Sequence, residues 1–112
     1  MSNRSYVRGA PGVQDRLLDD ASASALAETF KALGDATRVR ILDALSRAET
    51  PVCDLAGDLG LTQSAVSHQL RLLRSMRLVR ARRDGRHIFY AIDDDHILKL
   101  FHQGLEHVQE RA

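Results

Sequence analysis

Residues 62–76 read TQSAVSHQLRLLRSM, and this stretch decides the fold. On a helical wheel at about 100° per residue, Gln63, Ser64, Ser67, His68, Arg71 and Arg74 fall within an arc of about 140°. Ala65, Val66, Leu70, Leu72, Leu73 and Met76 take the opposite side. One face packs, and the other offers hydrogen-bonding and cationic groups to a partner. Immediately upstream, Gly60-Leu61-Thr62 reads as a tight turn after a short helix carrying Val52, Leu55 and Leu59, with Thr50 as its cap and Pro51 at its first position. Two helices joined by a glycine-containing turn make a helix-turn-helix, whose second helix ordinarily enters a DNA major groove.

Downstream the period changes from helix to strand. LVRARR (78–83) and RHIFYAI (86–92) are strand-like and flank Asp84-Gly85, a hairpin signal because both residues tolerate positive φ. Arg82, Arg83, Arg86 and His87 gather at the tip, where a wing would reach phosphate or the minor groove. The predicted fold is a mainly α winged helix-turn-helix with a β-hairpin: recognition helix about 62–76, wing about 78–92, last helix about 94–110. Upstream, Asp35 caps a helix carrying Val39, Leu42 and Leu45. A helical pattern from about residue 13 carries Leu17, Leu18, Ala21, Leu26, Phe30 and Leu33 before Gly34. Residues 1–12, with Gly9, Pro11 and Gly12, read as a flexible arm, leaving 13–112 as one domain.

Charge supports a nucleic-acid partner. Between Thr62 and Ile92 stand seven arginines and one acid, Asp84, a local balance of +6 within a chain of net charge +1. At 112 residues, 44% apolar and 28% charged, the chain suits one folded domain. No apolar run reaches the roughly 18 residues that cross a bilayer, and the N-terminal residues lack the apolar core of a secretory signal. One cysteine excludes a disulfide framework, and the expected address is cytoplasmic. Cys53 itself reads as a small buried filler near a helix start.

DATRVRILDAL (35–45), SAVSHQLRLLR (64–74) and the GRH.FY pattern of the wing (85–90) resemble the ArsR/SmtB family of metal-sensing bacterial repressors, most closely its zinc sensors. The likeness covers roughly residues 24–110. It implies a homodimer, with N- and C-terminal dimerisation helices, that binds a palindromic double-stranded operator and releases it when metal binds. Carried over by position, Gln63, Ser64, Ser67 and His68 would approach base edges. Arg71, with Arg83, Arg86 and His87 of the wing, would meet the DNA beside them. One metal location of the family uses a Cys-x-Cys pair where this chain has Pro51-Val52-Cys53, and no histidine precedes residue 60, so the chain departs from the family pattern there. The other uses Asp-x-His and His-x-x-Glu in the last helix, and Asp94, His96, His107 and Glu110 match it.

The spacing of these four residues carries its own argument. Eleven helical residues rise about 16 Å, so His96 and His107 of one chain cannot share an ion whose bonds are about 2 Å. They do share a helix face, on a seam of positions 96, 100, 103, 107 and 110. An antiparallel second helix centred beside Phe101 and His102 would bring each Asp94/His96 pair to a His107/Glu110 pair of the other chain, closing two N₂O₂ sites. Asp94 lies off the seam, in a capping position, and His102 reads as a surface residue. Ile97, Leu98, Phe101, Leu105 and Val108 read as packing against the N-terminal helices. Two imidazoles and two carboxylates suit zinc, with cobalt as a substitute. The alternative is a winged-helix repressor answering a non-metal signal, through Cys53 oxidation or a small molecule. An enzyme is not expected, since no nucleophile–base pair or glycine-rich phosphate loop is visible.

Overall fold

The computed structural model describes residues 16–110; the arm expected over 1–12 and the start of the helical pattern at 13 lie outside the described residues. The pattern is not one continuous helix. It is interrupted at 17–19, where Asp19 is extended and its Oδ1 accepts the Ser22 N–H at 2.7 Å. That cap starts α1 (Asp20–Leu33), which closes at Gly34. Asp35 Oδ2 accepts the Arg38 N–H at 3.1 Å and starts α2 (Ala36–Arg47).

Thr50 does not cap the next helix. Thr50–Pro51 forms a two-residue strand, β1, and the Thr50 hydroxyl donates to the Ala48 carbonyl. Proline lacks a ladder donor, and an edge strand tolerates it. Helix α3 (Val52–Leu59) then follows from Pro51 without a side-chain cap. It ends at Gly60, whose φ of +68° is the left-handed conformation glycine adopts without strain. The Leu61 N–H donates back to Ala56 O across this turn. Thr62 Oγ1 accepts the Ala65 N–H at 3.0 Å and opens α4 (Gln63–Ser75).

Strands β2 (Val79–Asp84) and β3 (His87–Ile92) form an antiparallel hairpin, and β1 adds to the free side of β3, giving the order β1-β3-β2. The register moves the turn by one residue from the sequence expectation. Asp84 pairs with His87, so the two central residues are Gly85 and Arg86. Positive φ falls on Gly85 (+63°) alone, which is the II′ arrangement with glycine first. Asp84 therefore remains in strand conformation. Helix α5 (Asp95–Glu110) follows the sheet directly.

Ile41, Leu42, Leu55, Val66, Leu70 and Leu73 are wholly buried, so α2, α3 and α4 share one core, closed by Leu78, Val79, Tyr90 and Ile92 of the sheet region. At roughly 1.5–3 kcal/mol per fully buried aliphatic side chain, this cluster fixes how α4 sits on α3. Helix α5 contributes no fully buried residue. Ile97, Leu98 and Phe101 pack partly on the core, but Val108 is 58% exposed, so the stripe is only half covered in one chain. It lines an open apolar groove of about 330 Å³ with Phe30 and Leu33 of α1 and Val39 of α2. Among the described residues no helix is long and apolar enough to cross a membrane.

Candidate nucleic-acid interface and metal half-sites

Burial of Val66, Leu70 and Leu73 at 0% exposure forces the opposite face of α4 outward. Gln63, Ser64, His68 and Arg71 are exposed there and Ser67 is half-buried, so five candidate DNA-facing residues share one surface. Two positions assigned to the packing side differ. Ala65 is exposed, and Leu72 reaches solvent (38%), beside a hollow lined by Glu28, Lys31 and Arg38. Gln69 is held by α2: the Arg38 guanidinium donates from Nε to Gln69 Oε1 at 2.8 Å. No local pattern announces that contact, since its partners lie 31 residues apart.

The end of α4 is strained. Arg77 takes φ +61°, the only non-glycine residue with positive φ among those described, while its N–H donates to Arg74 O and the Leu78 N–H donates to Leu73 O. A left-handed conformation costs a residue with a Cβ about 1–2 kcal/mol, and these bonds with the buried Leu78 hold it.

On the wing the arginines divide into two kinds. Arg82 is held internally: it donates bidentately to the Glu49 carboxylate at 2.8–3.0 Å, stacks 4.7 Å from the Phe89 ring centroid and lies 3.7 Å from Asp84. The Arg82 hydrogen bonds hold the Glu49 carboxyl below its ordinary range, and Glu49 in turn raises the Arg82 guanidinium. Arg82 therefore does not join the tip cluster expected from the sequence. Arg83 and Arg86 are exposed, with no ion pair among the described residues, and His87 is exposed beside Phe89. Arg80 sits at the base of the wing, where Nη1 donates to the carbonyls of Ile92 and Asp93, each at 2.8 Å.

Helix α5 carries the candidate ligands on its exposed surface. Asp94 Oδ1 accepts the Ile97 N–H at 3.0 Å, which caps the helix with one carboxylate oxygen. His96 Nδ1 lies 3.8 Å from that same oxygen, with its ring 93% exposed. His107 and Glu110 are exposed one turn apart at the other end, a spacing that sets two side chains together. Among the described residues no three His, Cys, Asp or Glu side chains converge within one chain. The donor set fits a borderline divalent cation, but each end of the helix supplies two ligands and stops there. Cys53 stays apart from both ends. It is exposed rather than a buried filler, because its position on α3 turns away from the core built by Leu55 and Ala56, and its thiol donates to Asp54 Oδ1 at 3.6 Å.

Residues 35–81 match the family model described as "Bacterial regulatory protein, arsR family". The transcriptional repressor SmtB homolog of Synechocystis sp. is 46% identical over 98 residues, covering 88% of this chain and 74% of the relative. The antimony-specific transcriptional repressor AntR superposes with a TM-score of 0.77 at 38% identity, over 95% of this chain and 97% of that one. The homodimeric winged helix-turn-helix DNA-binding domain Mb0332 of Mycobacterium bovis gives a TM-score of 0.77 at 31% identity, over 84% and 90% respectively.

Proposed function

The chain belongs to the ArsR family of bacterial regulatory proteins, DNA-binding transcriptional regulators and not enzymes, and on that premise we propose that it is a zinc-responsive repressor. It binds a palindromic operator as a metal-free homodimer in the cytoplasm and leaves it when metal binds.

The observation that carries this reading is the arrangement of α5. Asp94 and Glu110 stand eight residues either side of His102, and His96 and His107 stand five and six residues either side of Phe101, all on an exposed surface. A two-fold axis at that point pairs each half-site with its complement in the second copy. The apolar groove beside α5 supports the same partner, since Phe30 (52% exposed) and Val108 (58% exposed) are large side chains a monomer would leave in water. The outward face of α4 and the tips of two wings then lie on one side of the dimer, with recognition helices one DNA turn or a simple multiple apart.

Zinc bound by two imidazoles and two carboxylates would supply a tetrahedral tie between subunits. Asp94 and His96 then hold the head of α5, with Asp93 alone between Asp94 and the end of β3, and His107 and Glu110 hold its tail. Both wings are restrained together, in a geometry unsuited to the operator. The histidines act as ligands through neutral imidazole nitrogens. Absence of thiolate from this set disfavours thiophilic ions such as copper(I), cadmium, lead and arsenic, and cobalt can substitute for zinc.

In a gel-shift titration on the chain's own upstream DNA, His107→Ala retains metal-free binding and loses release by zinc. Loss of metal-free binding would contradict the assignment. Exposed Cys53 supports a second reading, a redox or other non-metal signal. Two zinc ions per dimer, unaffected by Cys53→Ser, favour the zinc reading over it.

A further inference from the structure

We propose that Arg80 is a positioning residue that couples the ligand pair at the head of α5 to the C-terminal end of α4. The inference rests on the metal-responsive reading above and names the part of this chain that would carry the response.

Strand β3 ends at Ile92, and Asp93 alone separates it from Asp94. Ile92, paired with Val79, ends the β2–β3 register, and backbone acceptors at and beyond this end need other partners. Arg80, paired with Ala91 across the hairpin, donates Nη1 to both at 2.8 Å. The Asp93 N–H donates in turn to Leu78 O at 3.1 Å, and the Leu78 N–H donates to Leu73 O at 2.9 Å, in the last turns of α4. The Asp93 residue is thus held at its donor by the α4–β2 junction and at its acceptor by Arg80. Asp94 follows immediately, with its own carboxylate capping α5.

Leu73 (0%) and Leu78 (1%) are buried, so water does not compete for the inner part of this chain of bonds. Arg80 is exposed, and its charge-assisted bonds are the part that can be removed without opening a cavity. A shift of Asp94 on binding metal therefore moves a peptide already fastened to the DNA-facing helix. Without Arg80 the Asp93 carbonyl is free, the junction becomes compliant, and movement at Asp94 is absorbed there.

The experiment measures operator affinity with and without zinc for the wild-type dimer, Arg80→Ala and Arg80→Lys. Zinc affinity is measured separately, without DNA, by chelator competition. Arg80→Ala keeps metal-free operator affinity within about twofold and binds two zinc ions per dimer, but the factor by which zinc weakens operator binding falls about tenfold. Arg80→Lys recovers most of that factor, because an ammonium can also donate to two carbonyls. An Arg80→Ala dimer with wild-type coupling overturns the inference while leaving the metal response standing. A metal-free salt dependence flattened by about 1.8 in log–log slope overturns it too, since Arg80 would then be a phosphate contact on both subunits. A wild-type dimer indifferent to zinc overturns the underlying reading, and this inference with it.

Discussion

The division of wing arginines into a held Arg82 and exposed Arg83 and Arg86 makes a quantitative prediction about salt. Each phosphate neutralised by a cation contributes about −0.9 to the slope of log affinity against log salt, and a dimer presents two wings. Arg83→Gln should therefore flatten the slope by about 1.8. Between 50 and 200 mM salt, its affinity deficit relative to wild type should shrink about 12-fold. Arg82→Gln should change the slope far less, because its charge is already matched by Glu49 at 2.8–3.0 Å. Glu49→Gln is the informative converse: it removes the matching carboxylate, frees a guanidinium on each wing and should steepen the slope by up to about 1.8. Fluorescence anisotropy of metal-free protein on labelled duplex, at four or more salt concentrations, reads all three variants. Equal flattening by Arg82→Gln and Arg83→Gln, with Glu49→Gln inert, would show that the Glu49–Arg82 pair opens on DNA and would refute the division.

Arg77 occupies a left-handed conformation that glycine adopts freely, so Arg77→Gly should raise unfolding stability by about 0.5–1 kcal/mol in urea titrations, the gain being reduced by glycine's greater freedom in the unfolded chain. A loss of stability would mean that the arginine side chain contributes more than its backbone costs. The Glu49 carboxyl is held below its ordinary range by Arg82, so its contribution is complete above about pH 4.3 and is lost as pH falls through the lowered value. Glu49→Gln should therefore show a shallower loss of stability than wild type on acidification below about pH 4.3; parallel profiles would dissociate the pair from folding.

What could be read from the sequence is what short-range chemistry determines. Thr62, Asp35 and Gly60 mark helix ends because capping and left-handed turns act within three or four residues. The buried side of α4 was legible from Val66, Leu70 and Leu73, whereas Leu72, at the border of that face, depended on how far α1 extends over it. Strand β1 escaped because two residues carry no period and their partners, Tyr90 and Phe89, lie about 40 residues on. The break before α1 escaped for a related reason: Leu17 and Leu18 fit a helical spacing, yet both are exposed, and the Asp19 cap prevailed. Glu49 and Arg80 show the same limit in the site, since nothing within a few residues of either predicts a partner across the sheet. Positions 94, 96, 107 and 110 are marked by the family resemblance, and helix geometry adds that His96 and His107 share a face without specifying what meets it.

The three-stranded sheet ends in two outer edges, and edges are where one copy of a protein can pair with the next into aggregates. One edge is β1, only two residues long and half proline, which has no N–H to offer. The other is β2, where exposed Arg83 would have to surrender its hydration, and Arg80 and Arg82 their bonds to Asp93 and Glu49, before a foreign strand could approach. The composition that suits the wing to polyanions therefore also keeps the sheet from recruiting itself, at the concentrations reached in the intervals when no DNA is bound.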